Sequence, residues 1–194
     1  VREFAEAELA PRAHSMDEAQ AMDPKLIPLL FEMGLMGIEV PAEYGGAGMD
    51  PIAYVLAMIE IAAGDAAHST IMSVNNSLFC NGILKFGTEA QKQLYVRAIA
   101  EGREIGAFAL TEPAVGSDPA RLGTLVRPSP DGSHFVIDGE KLWCTNGTRA
   151  ELFVVMARTG PKRITAFIVE KGFKGFSVAQ KLDKLGMRGS ETGE

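Results

Sequence analysis

Two short stretches hold the residues best suited to chemistry. The first is Phe108-Ala109-Leu110-Thr111-Glu112-Pro113-Ala114-Val115-Gly116-Ser117, followed by Asp118. The second is Lys141-Leu142-Trp143-Cys144-Thr145-Asn146-Gly147. Each is an apolar run that ends in hydroxyl-bearing and small residues. A hydroxyl at a strand end can bond the polar edge of a ring, and glycine lets backbone approach a flat ligand closely. Backbone N–H groups in the turn after Pro113 could bind phosphate or a polar ring edge. A tryptophan beside a hydroxyl can cover an aromatic ring and bond its edge at the same time. Each stretch taken singly also reads as ordinary structure. The first is then a polar turn helped by Pro113 and Gly116. The second is a core tryptophan, the only one in the chain, followed by an Asn146-Gly147 turn.

Other chemistries find less support. Ser117-Asp118 is not a Gly-x-Ser-x-Gly elbow, so nucleophilic serine chemistry is disfavoured. Gly45-Gly46-Ala47-Gly48 lacks the GxGxxG spacing and a P-loop lysine-serine pair, and reads as a flexible connection between helices. No strand–GxGxxG–helix unit supports a nicotinamide dehydrogenase. His14, His68 and His134 are isolated and take no catalytic role. Cys80 and Cys144 form no CxxC or Cys/His cluster. They read as buried reduced thiols in a cytosol-like compartment, with no metal expected. Glu112 reads as a residue that fixes its loop, not as a base.

The elements that must position these residues change character along the chain. Residues 1–104 read as helices. Phe4, Leu9 and Ala13 share a helical face, and Pro11 signals a kink or an end there. Asp23-Pro24 and Asp50-Pro51 are cap-plus-proline starts, while Gly34 closes the helix between them. Ile52 to Ala63 is nearly all apolar, which predicts a central helix buried on several sides. Ala67 to Phe86 is another long helix, and its small Ser73 and Ser77 leave room for a ligand chain. Thr88-Glu89-Ala90-Gln91 is a capping box that opens a last helix. Residues 105–194 read as short alternating strands near 105–110, 123–126, 134–137, 141–144, 153–157 and 165–169. Asp131-Gly132 and Asp138-Gly139 mark turns between them. The expected class is α+β: a helical N-terminal domain, then an antiparallel β middle domain that is incomplete.

The chain has 194 residues, 46% hydrophobic and 23% charged, a composition that supports a packed core. A net charge of −6 gives no attraction for nucleic acid or anionic membranes. No apolar run reaches membrane-spanning length. The charged start, Val1-Arg2-Glu3-Phe4, enters a helix at once and is not a signal peptide; it suggests a trimmed N-terminus.

The chain resembles the flavin-dependent acyl-CoA dehydrogenases along essentially its whole length. The two stretches above carry the resemblance, together with Leu35-Met36-Gly37-Ile38 and Pro41-Ala42-Glu43-Tyr44-Gly45-Gly46. So do Ser73-Val74-Asn75-Asn76-Ser77-Leu78, Ile83-Leu84-Lys85-Phe86-Gly87 and Lys184-Leu185-Gly186-Met187-Arg188-Gly189-Ser190. The Ser-Val-Asn-Asn-Ser-Leu string is most similar to short-chain members. The resemblance implies a C-terminal four-helix domain beyond Glu194, absent from this chain, that carries the catalytic glutamate. No residue here takes the base role.

By the same resemblance the cofactor is FAD, and its contacts come from Phe108, Leu110, Thr111, Gly116, Ser117, Trp143, Cys144 and Thr145. Thr111 would bond the flavin ring. Ser117 would touch the CoA chain or the cofactor phosphates. Trp143 would pack on the flavin, with Thr145 near the reactive N5 edge. The family's usual Glu-Pro-Gly-Ala-Gly-Ser is Glu-Pro-Ala-Val-Gly-Ser here. The implied reaction is α,β-dehydrogenation of acyl-CoA to 2-enoyl-CoA in fatty acid β-oxidation. Electron-transferring flavoprotein would be the acceptor, and the complete enzyme a homotetramer in the cytoplasm or the mitochondrial matrix. An acyl-CoA oxidase or flavin monooxygenase of the same fold is an alternative, as is a non-catalytic FAD- or CoA-binding module.

Overall fold

The structure is a computed structural model that describes residues 1–194. Local signals in the first half produce five helices. Helix α1 winds through Arg2–Phe4, Ala5–Leu9 and Ala10–Ala19. Pro11 neither ends nor interrupts it. The stretch just before that proline is π-wound, and the wider turn accommodates the missing N–H and the ring. Helix α2 is Leu26–Glu32. Pro28 falls in its first turn, where N–H groups have no intrahelical partner anyway. Asp23 forms a turn ahead of the helix, not its cap: Oδ1 accepts from Lys25 N–H at 3.0 Å. Gly34 closes α2 in the left-handed region, φ 71°.

Helix α3 is Pro51–Gly64, capped by Asp50, whose Oδ1 accepts from Ala53 N–H at 2.8 Å. Helix α4 runs through Ala66–Ser73, Val74–Cys80 and Asn81–Phe86. Helix α5 runs through Glu89–Gln91, Lys92–Val96 and Arg97–Ala100, opened by Thr88 with both bonds of the expected capping box. The expectation for α3 is corrected. Only Ala57 and Ile61 are buried, while Ile52, Val55, Leu56 and Ile59 lie exposed along one face. An apolar stretch shows that a helix can be buried, not that neighbours exist on every side.

Glycine loop 45–48 is also corrected. Ala47, Gly48 and Met49 donate N–H bonds to Gly37, Val40 and Ile38 carbonyls at 2.8–3.0 Å. A Cβ on Gly46 would lie 2.1 Å from Val40 O. The loop is a close-packed turn, not a slack connection.

The second half is built from β1 (Gly106–Ala109), β2 (Leu125–Pro128), β3 (Phe135–Asp138), β4 (Cys144–Thr145), β5 (Leu152–Gly160), β6 (Arg163–Glu170) and β7 (Thr192–Gly193). Helices first and sheet second gives the α+β architecture expected. Hairpins β2–β3 and β5–β6 are antiparallel. Strand β1, however, runs parallel to β5, with Gly106 opposite Leu152 and Ala109 opposite Val155. Leu125 of β2 also pairs with Arg158 in the parallel sense. The sheet is therefore mixed, where the sequence predicts antiparallel pairing throughout. Parallel pairing needs a long connection, and the excursion between β1 and β5 supplies it. The expected strand at 141–144 begins only at Cys144, because Trp143 takes a left-handed conformation, φ 61°. It pairs with β7, a strand the sequence pattern does not show.

One core joins α1, α2, α3 and the start of α4 through Leu9, Leu26, Leu30, Met36, Ile61, Ile71 and Met72. A second joins α4 and α5 to β5 through Phe79, Ile83, Val96, Ile99, Leu152 and Val154. Gly106 sits where the halves meet: a Cβ there would be 2.4 Å from Phe79 Cγ. The Lys184–Ser190 string docks on the helices. Arg188 N–H donates to Asp17 Oδ1 at 2.9 Å, and a Cβ on Gly189 would lie 3.5 Å from Ala67 Cβ.

Candidate functional site

Strand β1 carries Phe108 and releases Leu110 and Thr111 beyond its end. Residues 141 and 142 run alongside this exit. Leu142 N–H donates to Thr111 O at 2.8 Å. Lys141 Nζ donates to Leu110 O at 3.0 Å and to Glu112 Oε1 at 2.8 Å. The two stretches singled out in the sequence are thus held side by side.

Glu112 is nearly buried and saturated with donors. Besides Lys141, it accepts from Gly123 N–H at 2.6 Å, Thr124 N–H at 3.0 Å and Thr124 Oγ1 at 2.6 Å. Burial opposes its charge, but the bonds from Lys141, Thr124 and Gly123 outweigh it and hold the carboxyl down to about 2. A carboxylate held so firmly is a poor base. It closes the loop from Glu112 to Thr124, in line with the fixing role read from the sequence. Inside that loop Glu112 and Val115 exchange backbone bonds at 2.9 and 3.0 Å. Val115 is buried, so its added bulk relative to the family string points inward. Gly116 and Ser117 are exposed, and a Cβ on Gly116 would meet nothing within 4 Å.

The second stretch divides its side chains by face. Trp143 is 54% exposed, so it is not a core residue. Cys144 is buried beside Ala107 and Ala109, and burial pushes its thiol up to about 11. Thr145 is half-buried and pairs through its backbone with Thr192. Asn146 takes φ 66° and donates from Nδ2 to Gly106 O at 3.0 Å, tying this turn to the start of β1. Asn146 N–H donates to Glu191 O at 3.0 Å. The Glu191 carboxylate accepts from Thr148 Oγ1 and Arg149 Nε, both at 2.8 Å. Phe108 and Leu110 are half-buried beneath this corner.

Sequence reasoning missed several residues that shape the site. Lys141 was quoted only as the first letter of a motif. Asn75 and Asn76 were quoted only as part of a string, yet both are buried and anchor α4. A polar pair inside an apolar helix was the available signal. Ser73 and Ser77 are committed within the helices: Ser73 Oγ accepts from Tyr54 at 3.3 Å, and Ser77 Oγ donates to Ser73 O at 2.7 Å. His68 is fully buried, its Nδ1 2.5 Å from Asp65 Oδ2, and His134 lies exposed on its hairpin turn. Both cysteines are free and buried, as expected.

Two family profiles match the chain. Residues 1–103 match the acyl-CoA dehydrogenase N-terminal domain, and residues 107–194 match the acyl-CoA dehydrogenase middle domain. The chain belongs to the acyl-CoA dehydrogenase family. A short-chain specific acyl-CoA dehydrogenase of Clostridium acetobutylicum is 42% identical over all of this chain and 52% of its own length. Butyryl-CoA dehydrogenase from Megasphaera elsdenii superposes with TM-score 0.92 at 37% identity, over 99% of this chain and 52% of that one. A glutaryl-CoA dehydrogenase from Mycobacterium smegmatis, solved in complex with FADH2, gives TM-score 0.93 at 34% identity, over 99% and 49%. The chain thus spans about half the length of these acyl-CoA dehydrogenases.

The corner formed by 108–117 and 141–147 has the chemistry that a flavin requires. An exposed indole offers an aromatic face. The backbones of Thr111 and Thr145 are committed to Leu142 and Thr192, while their hydroxyls bond nothing within the chain. Open space over Gly116 leaves room for close approach.

Proposed function

We propose that this chain forms the N-terminal and middle part of an FAD-dependent acyl-CoA dehydrogenase, which converts acyl-CoA thioesters to 2-enoyl-CoA. One observation carries the reading. Two stretches about thirty residues apart are clamped together so that Thr111, Trp143 and Thr145 border one corner. Phe108 and Leu110 floor it, Cys144 packs behind it, and Gly116 and Ser117 lie on the exposed loop. FAD, when bound, accepts the β-hydrogen as hydride. The chain's own work is to bind and orient. Trp143 covers the ring, the two threonine hydroxyls bond its edge, and Ser117 meets the CoA chain or the cofactor phosphates.

The α-proton must go to a carboxylate that no residue here supplies. Glu112 is saturated with donors, Glu60 is paired with Arg2 at 2.6 Å, and Glu191 with Arg149 at 2.5 Å. The base, the rest of the acyl pocket and the tetramer contacts come from outside these residues. Electron-transferring flavoprotein is the proposed acceptor, and the working compartment is the cytoplasm or the mitochondrial matrix.

The test is a titration of the purified chain with FAD, followed by an assay with butyryl-CoA and a dye acceptor. The expected result is flavin binding without turnover. Sustained turnover would place a base within these 194 residues. Failure to bind FAD, in this chain and in the longer protein alike, would remove the flavin reading.

A further inference from the structure

Lys141 stands behind the flavin corner, with its side chain only 11% exposed. Its ammonium bonds Leu110 O and Glu112 Oε1, the residues that flank Thr111 on either side. The next residue, Leu142, bonds the carbonyl of Thr111 itself at 2.8 Å. Three consecutive residues of the first stretch are therefore tied to two consecutive residues of the second. Trp143 follows directly, its backbone held at φ 61°. A non-glycine residue persists there only when its surroundings hold it.

We propose that Lys141 is a positioning residue: its ammonium fixes Thr111 and Trp143 relative to each other and so sets the geometry in which the chain receives a flavin. The inference rests on the reading that this chain binds FAD. A lysine suits the task because one compact ammonium carries three donors and can serve a carbonyl and a carboxylate together. Low exposure strengthens both bonds and makes loss of either partner costly. Glu112 completes the device. Its other bonds, to Gly123 and Thr124, pass the fixed position on to the loop that carries Gly116 and Ser117.

Trp143 is the only tryptophan, so its fluorescence reports this corner without a label. Lys141→Met keeps the aliphatic stem and removes the ammonium. Lys141→Arg keeps the charge and several donors. Each variant is checked for folding by far-UV circular dichroism and thermal melting. Acrylamide quenching and anisotropy of Trp143 are then measured, followed by titration with FAD. Lys141→Met is expected to raise quenching, lower anisotropy and weaken FAD binding about tenfold or more. Lys141→Arg should recover most of both signals.

Wild-type quenching and FAD affinity in Lys141→Met would overturn the proposal. So would equal damage in both variants that follows their loss of thermal stability, since Lys141 would then only support the fold. If Lys141→Met does not fold, Lys141→Gln, a neutral donor, is read by the same criteria. Failure of the wild-type chain to bind FAD is seen before any variant is made. It rejects the flavin reading, while the Trp143 signals still decide whether Lys141 holds the two stretches together.

Discussion

Asn75 and Gly106 are joined across the boundary between helices and sheet: Asn75 Oδ1 accepts the N–H of Gly106 at 3.0 Å. The other half of the same amide donates to Met36 O at 2.8 Å. Gly106 begins the strand whose far end carries Thr111, and its carbonyl accepts from Asn146 Nδ2. A buried side chain of α4 thus ties both stretches of the flavin corner to the helical half.

Asn75→Ala would leave the Gly106 N–H and the Met36 carbonyl buried without partners. Each such group costs about 1–3 kcal/mol. A loss of about 2–4 kcal/mol in urea-induced unfolding is expected. A loss below about 0.5 kcal/mol would mean that water replaces the amide without penalty.

Gly106→Ala would place a methyl 2.4 Å from Phe79 Cγ, in the core that joins α4 to β5. Overpacking of this kind costs about 1–3 kcal/mol. The melting temperature should fall, and Phe79→Leu in the same chain should restore part of it. No recovery would point to backbone strain as the cause.

Trp143→Ala should separate ligand binding from folding. The indole is 54% exposed, so the expected change in stability is within about 0.5 kcal/mol. Flavin content after purification should fall sharply. A variant with full flavin and an unchanged visible spectrum would count against the proposed contact.

Glu112 supplies a test by pH. Its carboxyl is held down to about 2 despite burial, so it retains its charge further into acid than an ordinary glutamate. The stability it contributes is complete above the ordinary carboxylate range and is lost as pH falls toward about 2. Wild type should exceed Glu112→Gln by its widest margin near roughly pH 7, and the margin should shrink below about pH 4. A margin that does not change with pH would show that the charge of Glu112 contributes nothing.

Much of this architecture is legible in the residues themselves, because the deciding physics is local. Asp50 and Thr88 cap helices by bonding N–H groups two or three positions away. Gly34 and the Asp131-Gly132 turn supply backbone conformations that neighbouring residues cannot reach cheaply. The alternation in β5 and β6 marks strands, and the two stretches that border the flavin corner stand out by residue type. What the sequence could not decide depends on groups far apart in the chain. The parallel entry of β1 beside β5, the open face of α3 and the inward turn of Val115 follow from which surfaces meet. The Lys141 clamp joins residues some thirty positions apart, and nothing in the spacing of Leu110, Glu112 and Lys141 announces it. Residue types determined which groups could bond a flavin; only the packing of helix, strand and loop determined that they share one corner, because hydrogen bonds and van der Waals contacts act over a few ångströms of space and not along the chain.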